Sequence, residues 1–343
     1  MKKLYQSAAA KRRGKRKSRN ALRKKLKRRG KKYIPKPSDF YNEPVSASPS
    51  ANPPLITIRA PDNFSLVNNT EEVLSFFREA YLVLKKGDRA LLDISEIKTL
   101  TTDAIAVQVA KICDRRFLQN SEIQGNSPKN EGLRQLFLES GFFNHVQTQG
   151  RRFNAKNKLI HKVTKNRVEP DLVREACLYA LRHVYGNSEP VEPLYDILIE
   201  VMQNTNNHAG LERGKYDWWL NIFNDPNSKK STFTFVDLGA GIFESLPVKT
   251  FKKKFIEMFG LTNNLKLVPK LFNGEIKSRT ARPERGKGIP QIFECSQDNV
   301  FSKFLLISND VYADLKDNGN NRLLDQNFDG TLFFWELENS NES

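Results

Sequence analysis

Charge is distributed so unevenly along this chain of 343 residues that it decides where folding can begin. Residues 1–32 carry 17 Lys and Arg and no acid. Setting them aside leaves 39 basic residues against 39 acidic ones, so the whole formal charge of +17 sits in one arm. A like-charge block of this density repels itself and offers little apolar surface to bury, which predicts a disordered arm. The partner expected for it is a polyanion bound with counterion release, nucleic acid ahead of acidic lipid. Leu22 and Leu26 have helical spacing within the arm, but two leucines bury too little for a helix lying on a membrane surface. Residues 33–54 follow as a linker with prolines at 35, 37, 44, 49, 53 and 54, extended and semi-rigid. Ordered structure is therefore expected from Leu55 onward.

The remainder is long enough for two domains, and 38% hydrophobic content with 23 Phe supplies their cores. No apolar run approaches the roughly 20 residues of a membrane span, and the basic start lacks the apolar stretch of a signal peptide. Cys113, Cys177 and Cys295 are scattered, with no CxxC pattern and no disulfide framework, so reduced thiols and a cytoplasmic location are expected. The four histidines are equally scattered, which argues against a His-based metal site.

Residues 55–150 alternate between strand and helix patterns. Leu55–Arg59 alternates as a strand. Thr70-Glu71-Glu72 opens a helix running to Leu84. Arg89–Ile94 is a buried strand, Thr102 to about Arg116 a helix, Ser121–Gln124 a short strand, and Asn130–Ser140 a helix closed by Gly141. Leu91-Leu-Asp93-Ile-Ser95, the loop at Thr101-Thr-Asp-Ala104, the turn Gly125-Asn-Ser-Pro128 and the run from Leu136 to Phe143 resemble a STAS domain, the fold of anti-anti-sigma factors. The resemblance implies a module for protein partners. Where that family's phosphorylated loop has an accepting Ser, this chain has Asp103. That implies a fixed, phospho-like charge, with Thr102 as the remaining acceptor.

Residues 151–168 are basic and polar and read as a second boundary. A helix from Asp171 presents Ala176, Leu178, Leu181 and Val184, and Gly186–Pro190 breaks it. The next helix, Glu192–His208, turns Leu194, Ile197, Leu198 and Val201 inward. Glu200 and Asn204 are four apart on it and share one face. Two oxygen-bearing side chains so placed suit a Mg²⁺ that keeps several waters and binds phosphates. Phe233–Asp237 reads as a strand ending in an acid, with Gly239 and Gly241 two and four residues on. Such an acid can accept a base amino group where backbone lies close to the ligand. Arg285-Gly286-Lys287-Gly288 forms a second flexible loop whose N–H groups can face phosphate. A basic interval from Lys249 to Arg285, opening with a helix at Phe251–Phe259, separates the two glycine clusters.

In this order, Glu200–His208, Asp237–Ile242, Arg285–Ile289 and Gly330-Thr331 resemble the GHKL ATPase superfamily, which includes gyrase B, MutL, histidine kinases and anti-sigma-factor kinases. The resemblance covers about residues 165–340. It implies an α/β sandwich binding ATP and Mg²⁺, with Glu200 as general base and Asn204 on the metal, assisted by Asn207. Asp237 would read adenine over a turn made by Gly239, Gly241 and Ile242. Arg285, Gly286, Lys287, Gly288 and Thr331 would line the phosphate side, and the interval before Arg285 would be an ATP lid. The fold class expected is thus α/β: a disordered arm (1–32), a linker (33–54), a STAS-like domain (55–150) and a GHKL-type domain (165–340). The functions expected are ATP binding with hydrolysis, a serine/threonine kinase of the anti-sigma type, or an ATP-dependent interaction module without turnover. A homodimer is compatible with each. A sensor histidine kinase is disfavoured, because His161 lacks the acid that follows an accepting His.

Overall fold

The computed structural model describes residues 53–119, 121–146, 153–163, 168–187, 189–208, 217–246, 263–276 and 288–339. The basic arm, nearly all of the linker, the helix expected at 251–259 and the residues Arg285, Gly286 and Lys287 lie outside these ranges, as does the side chain of Asn207. The described chain is mixed α/β. No described helix is long and apolar enough to cross a membrane.

The first part opens with β1 (Leu55–Arg59) and the two-residue β2 (Asn63–Phe64), followed by α1 (Thr70–Lys85). Glu71 and Glu72 in the first turn of α1 and Lys85 in its last turn oppose the helix dipole. Next come β3 (Arg89–Asp93), β4 (Thr99–Leu100), α2 (Thr102–Cys113), α3 (Arg115–Leu118), β5 (Ile123–Gly125) and α4 (Glu131–Glu139). Strands β1, β3 and β5 form a parallel sheet in that order, and β2 pairs with β4. Asn130 caps α4 by accepting from Leu133 N at 3.1 Å, and Gly141 ends it at φ +89°.

Two expectations change here. The helix from Thr102 stops at Cys113 rather than near Arg116. Asp114 leaves helical geometry at ψ 114°, and its side chain accepts from Arg116 N at 2.9 Å, so it starts the new helix α3. Asp103 is not a surface charge. It is 1% exposed, and its Oδ2 accepts from Leu66 N at 2.7 Å and Val67 N at 3.0 Å, tying the first turn of α2 to the loop after β2. Burial raises its pKa. Thr102 is buried too, with Oγ1 3.4 Å from Thr232 Oγ1. Neither side chain is presented to a partner.

The second part begins with β6 (Lys158–Val163), inside the stretch expected to be a boundary. Its lysines made an edge strand read as a loop, yet Lys158 lies over the Tyr179 ring at 4.8 Å and Lys162 pairs with Glu169 at 2.9 Å. Helices α5 (Pro170–Val184) and α6 (Glu192–His208) follow, then β7 (Asp217–Asn224), β8 (Lys230–Asp237), α7 (Ile242–Ser245), α8 (Val268–Phe272), α9 (Gly288–Ser296), β9 (Phe301–Asp314) and β10 (Arg322–Glu338). The strands form one antiparallel sheet, ordered β6-β7-β8-β10-β9. On α5 the buried stripe is Val173, Ala176, Ala180, Leu181 and Val184, while Leu178 is only half-buried. In the superfamily that Gly330-Thr331 resembles, the Gly-Thr pair opens the last strand. Here β10 begins at Arg322, and Gly330 lies where its register against β9 shifts.

Both faces of this sheet are covered. Period-two alternation sends Trp218, Leu220, Phe233, Phe235, Phe333 and Trp335 to a front core shared with α5, α6 and α9. It sends Trp219, Val236, Leu332 and Phe334 to a rear core shared with α1, α2 and the small parallel sheet. The two folded parts expected from the sequence therefore belong to one compact unit. Phe233, Trp335 and Phe304 stack across β8, β10 and β9, with ring centroids 5.1 and 5.5 Å apart and planes within 7°. These three rings tie the strands of the front core together.

Candidate functional site

A cleft of about 770 Å³, counting its open mouth, lies on the front face between α6, the end of β8, α8 and the start of α9. Asn204, Asp237, Gly241, Ile242, Gly288 and Thr331 all line it. Val201, Phe235, Leu246, Leu271, Ile276 and Phe333 give it apolar walls. A largely apolar cavity with a few convergent polar groups is the usual form of a small-molecule site.

Asp237 is the last residue of β8, so its side chain leaves the sheet at the cleft floor. It is 6% exposed. A buried carboxylate is stable only if its oxygens are bonded. Here Oδ1 accepts from Gly239 N at 2.9 Å and Oδ2 from Thr205 Oγ1 at 3.2 Å. Burial pushes its pKa up to about 6. The Gly239, Thr205 and Thr331 hydrogen bonds and the charge of Arg116 oppose that rise.

The turn after Asp237 is braced by β9. Asn309 adopts φ +53°, rare for a residue with a side chain. Its Oδ1 accepts from Phe243 N at 3.0 Å and Glu244 N at 3.2 Å, and its Nδ2 donates to Ala240 O at 3.0 Å. Ser308 Oγ accepts from Ile242 N and donates to Gly330 O, both at 2.8 Å. Gly241 has φ +79°, and a Cβ on it would come within 2.4 Å of the Asn309 amide. At Gly330 a Cβ would sit 2.0 Å from the Asp237 carbonyl oxygen. Both glycines are required by close approach.

Across the cleft, Glu200 and Asn204 project from α6 toward the first residue of α9. A Cβ on Gly288 would lie 2.7 Å from Asn204 Oδ1 and 2.8 Å from Glu200 Oε2, so both oxygens converge on one point of backbone. Burial raises the pKa of Glu200, and the charge of Asp196 adds to it. Asn204 Nδ2 is buried with no hydrogen-bond partner among the described residues. That orphaned NH2 is a donor suited to a phosphate or water oxygen, while Asn204 Oδ1 and the Glu200 carboxylate supply the oxygens that a hydrated Mg²⁺ takes. Pro290 fits the first turn of α9, where an N–H would have no helical acceptor. The positive end of that helix faces the same point as Glu200.

Of the expected residues, Asn204, Asp237, Gly241, Ile242, Gly288 and Thr331 line one cleft, with Glu200 beside Gly288 and Gly239 bonded to Asp237. Arg285, Gly286, Lys287 and the Asn207 side chain lie outside the described residues. Sequence reading missed Thr205, Ser308, Asn309 and Arg116. Thr205 follows Asn204 directly, and a hydroxyl beside a motif is the only signal that pointed to any of them. His161, set aside as a phosphate acceptor, stacks on Trp219 at 4.1 Å and lies 3.5 Å from Asp217. No protein-family model matches the chain, and no curated protein matches its sequence.

Proposed function

We propose that this protein binds ATP with Mg²⁺ in the cleft between α6 and α9 and hydrolyses it, as the resemblance to GHKL ATPases implies. The observation that carries this reading is the meeting of Asn204, Asp237, Gly288 and Thr331, distant in sequence, around one cavity with apolar walls. Asp237 accepts the adenine amino group, with Thr205 and Thr331 completing the polar floor. The apolar walls hold the base. Asn204 and Glu200 face the phosphates, and Asn204 holds Mg²⁺, which neutralises phosphate charge. Glu200, whose pKa is raised by burial, accepts a proton from the attacking water. The basic arm adds a polyanion-binding function of its own.

Radiolabelled ATP with the pure protein tests the reaction. Free phosphate without labelled protein is the expected result. Label on the protein or an added acceptor would replace hydrolysis by kinase action. Binding without either product would leave an ATP-dependent interaction module. Absence of binding would remove the reading altogether.

A further inference from the structure

Leu238, between Asp237 and Gly239, faces the opposite way from its neighbour. Asp237 turns into the cleft, whereas the Leu238 side chain, 8% exposed, joins the rear core with α2. The Leu238 carbonyl accepts from Arg116 Nη2 at 2.5 Å. Arg116 belongs to α3 in the first folded part of the chain. Its guanidinium is aimed by Asp114, which accepts from Nε at 3.0 Å and pairs with Nη2. A fork held on one side by a carboxylate has little freedom left, so it fixes whatever it grips on the other. The second turn of the cleft is approached from the same direction. Lys111 Nζ, from α2, lies 5.7 Å from the centre of the Phe328 ring, two residues before Gly330. Gly330 in turn packs on the Asp237 backbone.

We propose that Arg116 is a positioning residue for nucleotide recognition: by gripping the Leu238 carbonyl it sets the direction of the Asp237 carboxylate, so the first folded part tunes affinity and base choice from behind the sheet. The proposal rests on the ATP-binding reading. Arg116 acts through the Leu238 peptide rather than by touching the nucleotide. Its positive charge also favours the ionised, accepting form of Asp237. Coupling between sites is reciprocal, so nucleotide in the cleft should tighten the grip of α2 and α3 on the sheet.

The test compares the full-length protein with Arg116→Ala, Arg116→Gln and Arg116→Lys, titrated by calorimetry with ATP and with purine riboside triphosphate, which lacks the amino group. Arg116→Ala should weaken ATP binding by roughly fivefold or more, the low end of measured couplings between sites. The analogue should be affected less, so the preference for ATP collapses. Arg116→Lys, which keeps the charge and one donor, should recover part of that preference, and Arg116→Gln less. A residue that merely supports the fold would lower affinity for both nucleotides alike. Wild-type preference retained in Arg116→Ala, or an equal loss for both nucleotides, overturns the proposal while leaving ATP binding intact. Failure of the wild type to bind either nucleotide overturns the ATP reading and this proposal together.

Discussion

Gly288 stands so close to Asn204 that a single added methyl group would lie 2.7 Å from the Oδ1 of that amide. The neighbours it would meet are the mobile ends of Asn204 and Glu200, not backbone. Gly288→Ala should therefore leave the fold intact, since only flexible side-chain ends have to move. The two polar ends must swing away, and they are the groups assigned to metal and water. The expected outcome is an unchanged melting temperature with Mg-ATP affinity reduced about tenfold or more. Calorimetry and thermal denaturation check the two halves, and undiminished affinity would remove Gly288 from the site.

Asp237 links ligand binding to pH. Its pKa is raised from 3.8 to about 6, so the folded state prefers the protonated acid. That contribution to stability is complete below about pH 4 and is lost as pH rises through about 6. At pH 7 the ionised group costs roughly 3 kcal/mol, at 1.36 kcal/mol for each pKa unit. If Asp237 reads adenine as proposed, the ionised form is the better acceptor, so ATP affinity should fall as pH drops below about 6. Asp237→Asn should bind ATP weakly at every pH, yet without ligand it should be at least as stable as wild type at pH 7.5. Calorimetry across a pH series and denaturant unfolding supply the two readouts. A variant less stable than wild type would contradict the burial argument.

Glu200→Gln keeps size and polarity but cannot accept a proton. ATP affinity should stay within about threefold of wild type, while turnover should drop by about 10²–10⁴-fold, the usual contribution of a general base. Phosphate release with binding measured in parallel decides it. Unaltered turnover would reassign the base.

Asn309 pins the turn that follows Asp237. Asn309→Ala removes both acceptor contacts and the donor, and keeps a side chain at a left-handed φ. A loss of about 2–3 kcal/mol in urea unfolding is expected from the groups left unpaired. Asn309→Gly loses the same bonds but relieves the backbone, so it should be milder by about 1 kcal/mol. Equal stability of both variants and wild type would mean the turn holds itself.

Deleting residues 1–32 should leave the fold and ATP binding intact and remove most nucleic-acid affinity. For the full chain, log K against log salt should fall steeply, by about 0.9 for each phosphate neutralised on duplex DNA. Fluorescence anisotropy with RNA and DNA probes follows it. If the shortened protein binds as well, the arm has no such role.

What the sequence made legible was local. Glu200 and Asn204 could be placed on one helix face because the period of the helix is fixed, and Asp237 stood out as an acid closing an apolar strand. Asn309 could not be found that way, since its importance comes from a left-handed kink inside a strand whose neighbours read as ordinary alternation. Arg116 was hidden because the expected helix ran through it, and only the cap at Asp114 turns its side chain toward Leu238. The covering of the rear face was also invisible. Asn221 and Thr234 are fully buried there, and polar residues at alternate positions normally signal solvent.

The sheet covered on both sides also carries all three tryptophans of the chain, at 218, 219 and 335. Trp218 and Trp335 belong to the front core and Trp219 to the rear. Intrinsic fluorescence is thus a two-channel optical gauge. With Trp219 replaced by Phe, emission reports the layer around the cleft alone. With Trp218 and Trp335 replaced, Trp219 reports whether the helical cover behind the sheet is in place. Peeling of one layer from the other would appear as a red shift in one channel before the second responds.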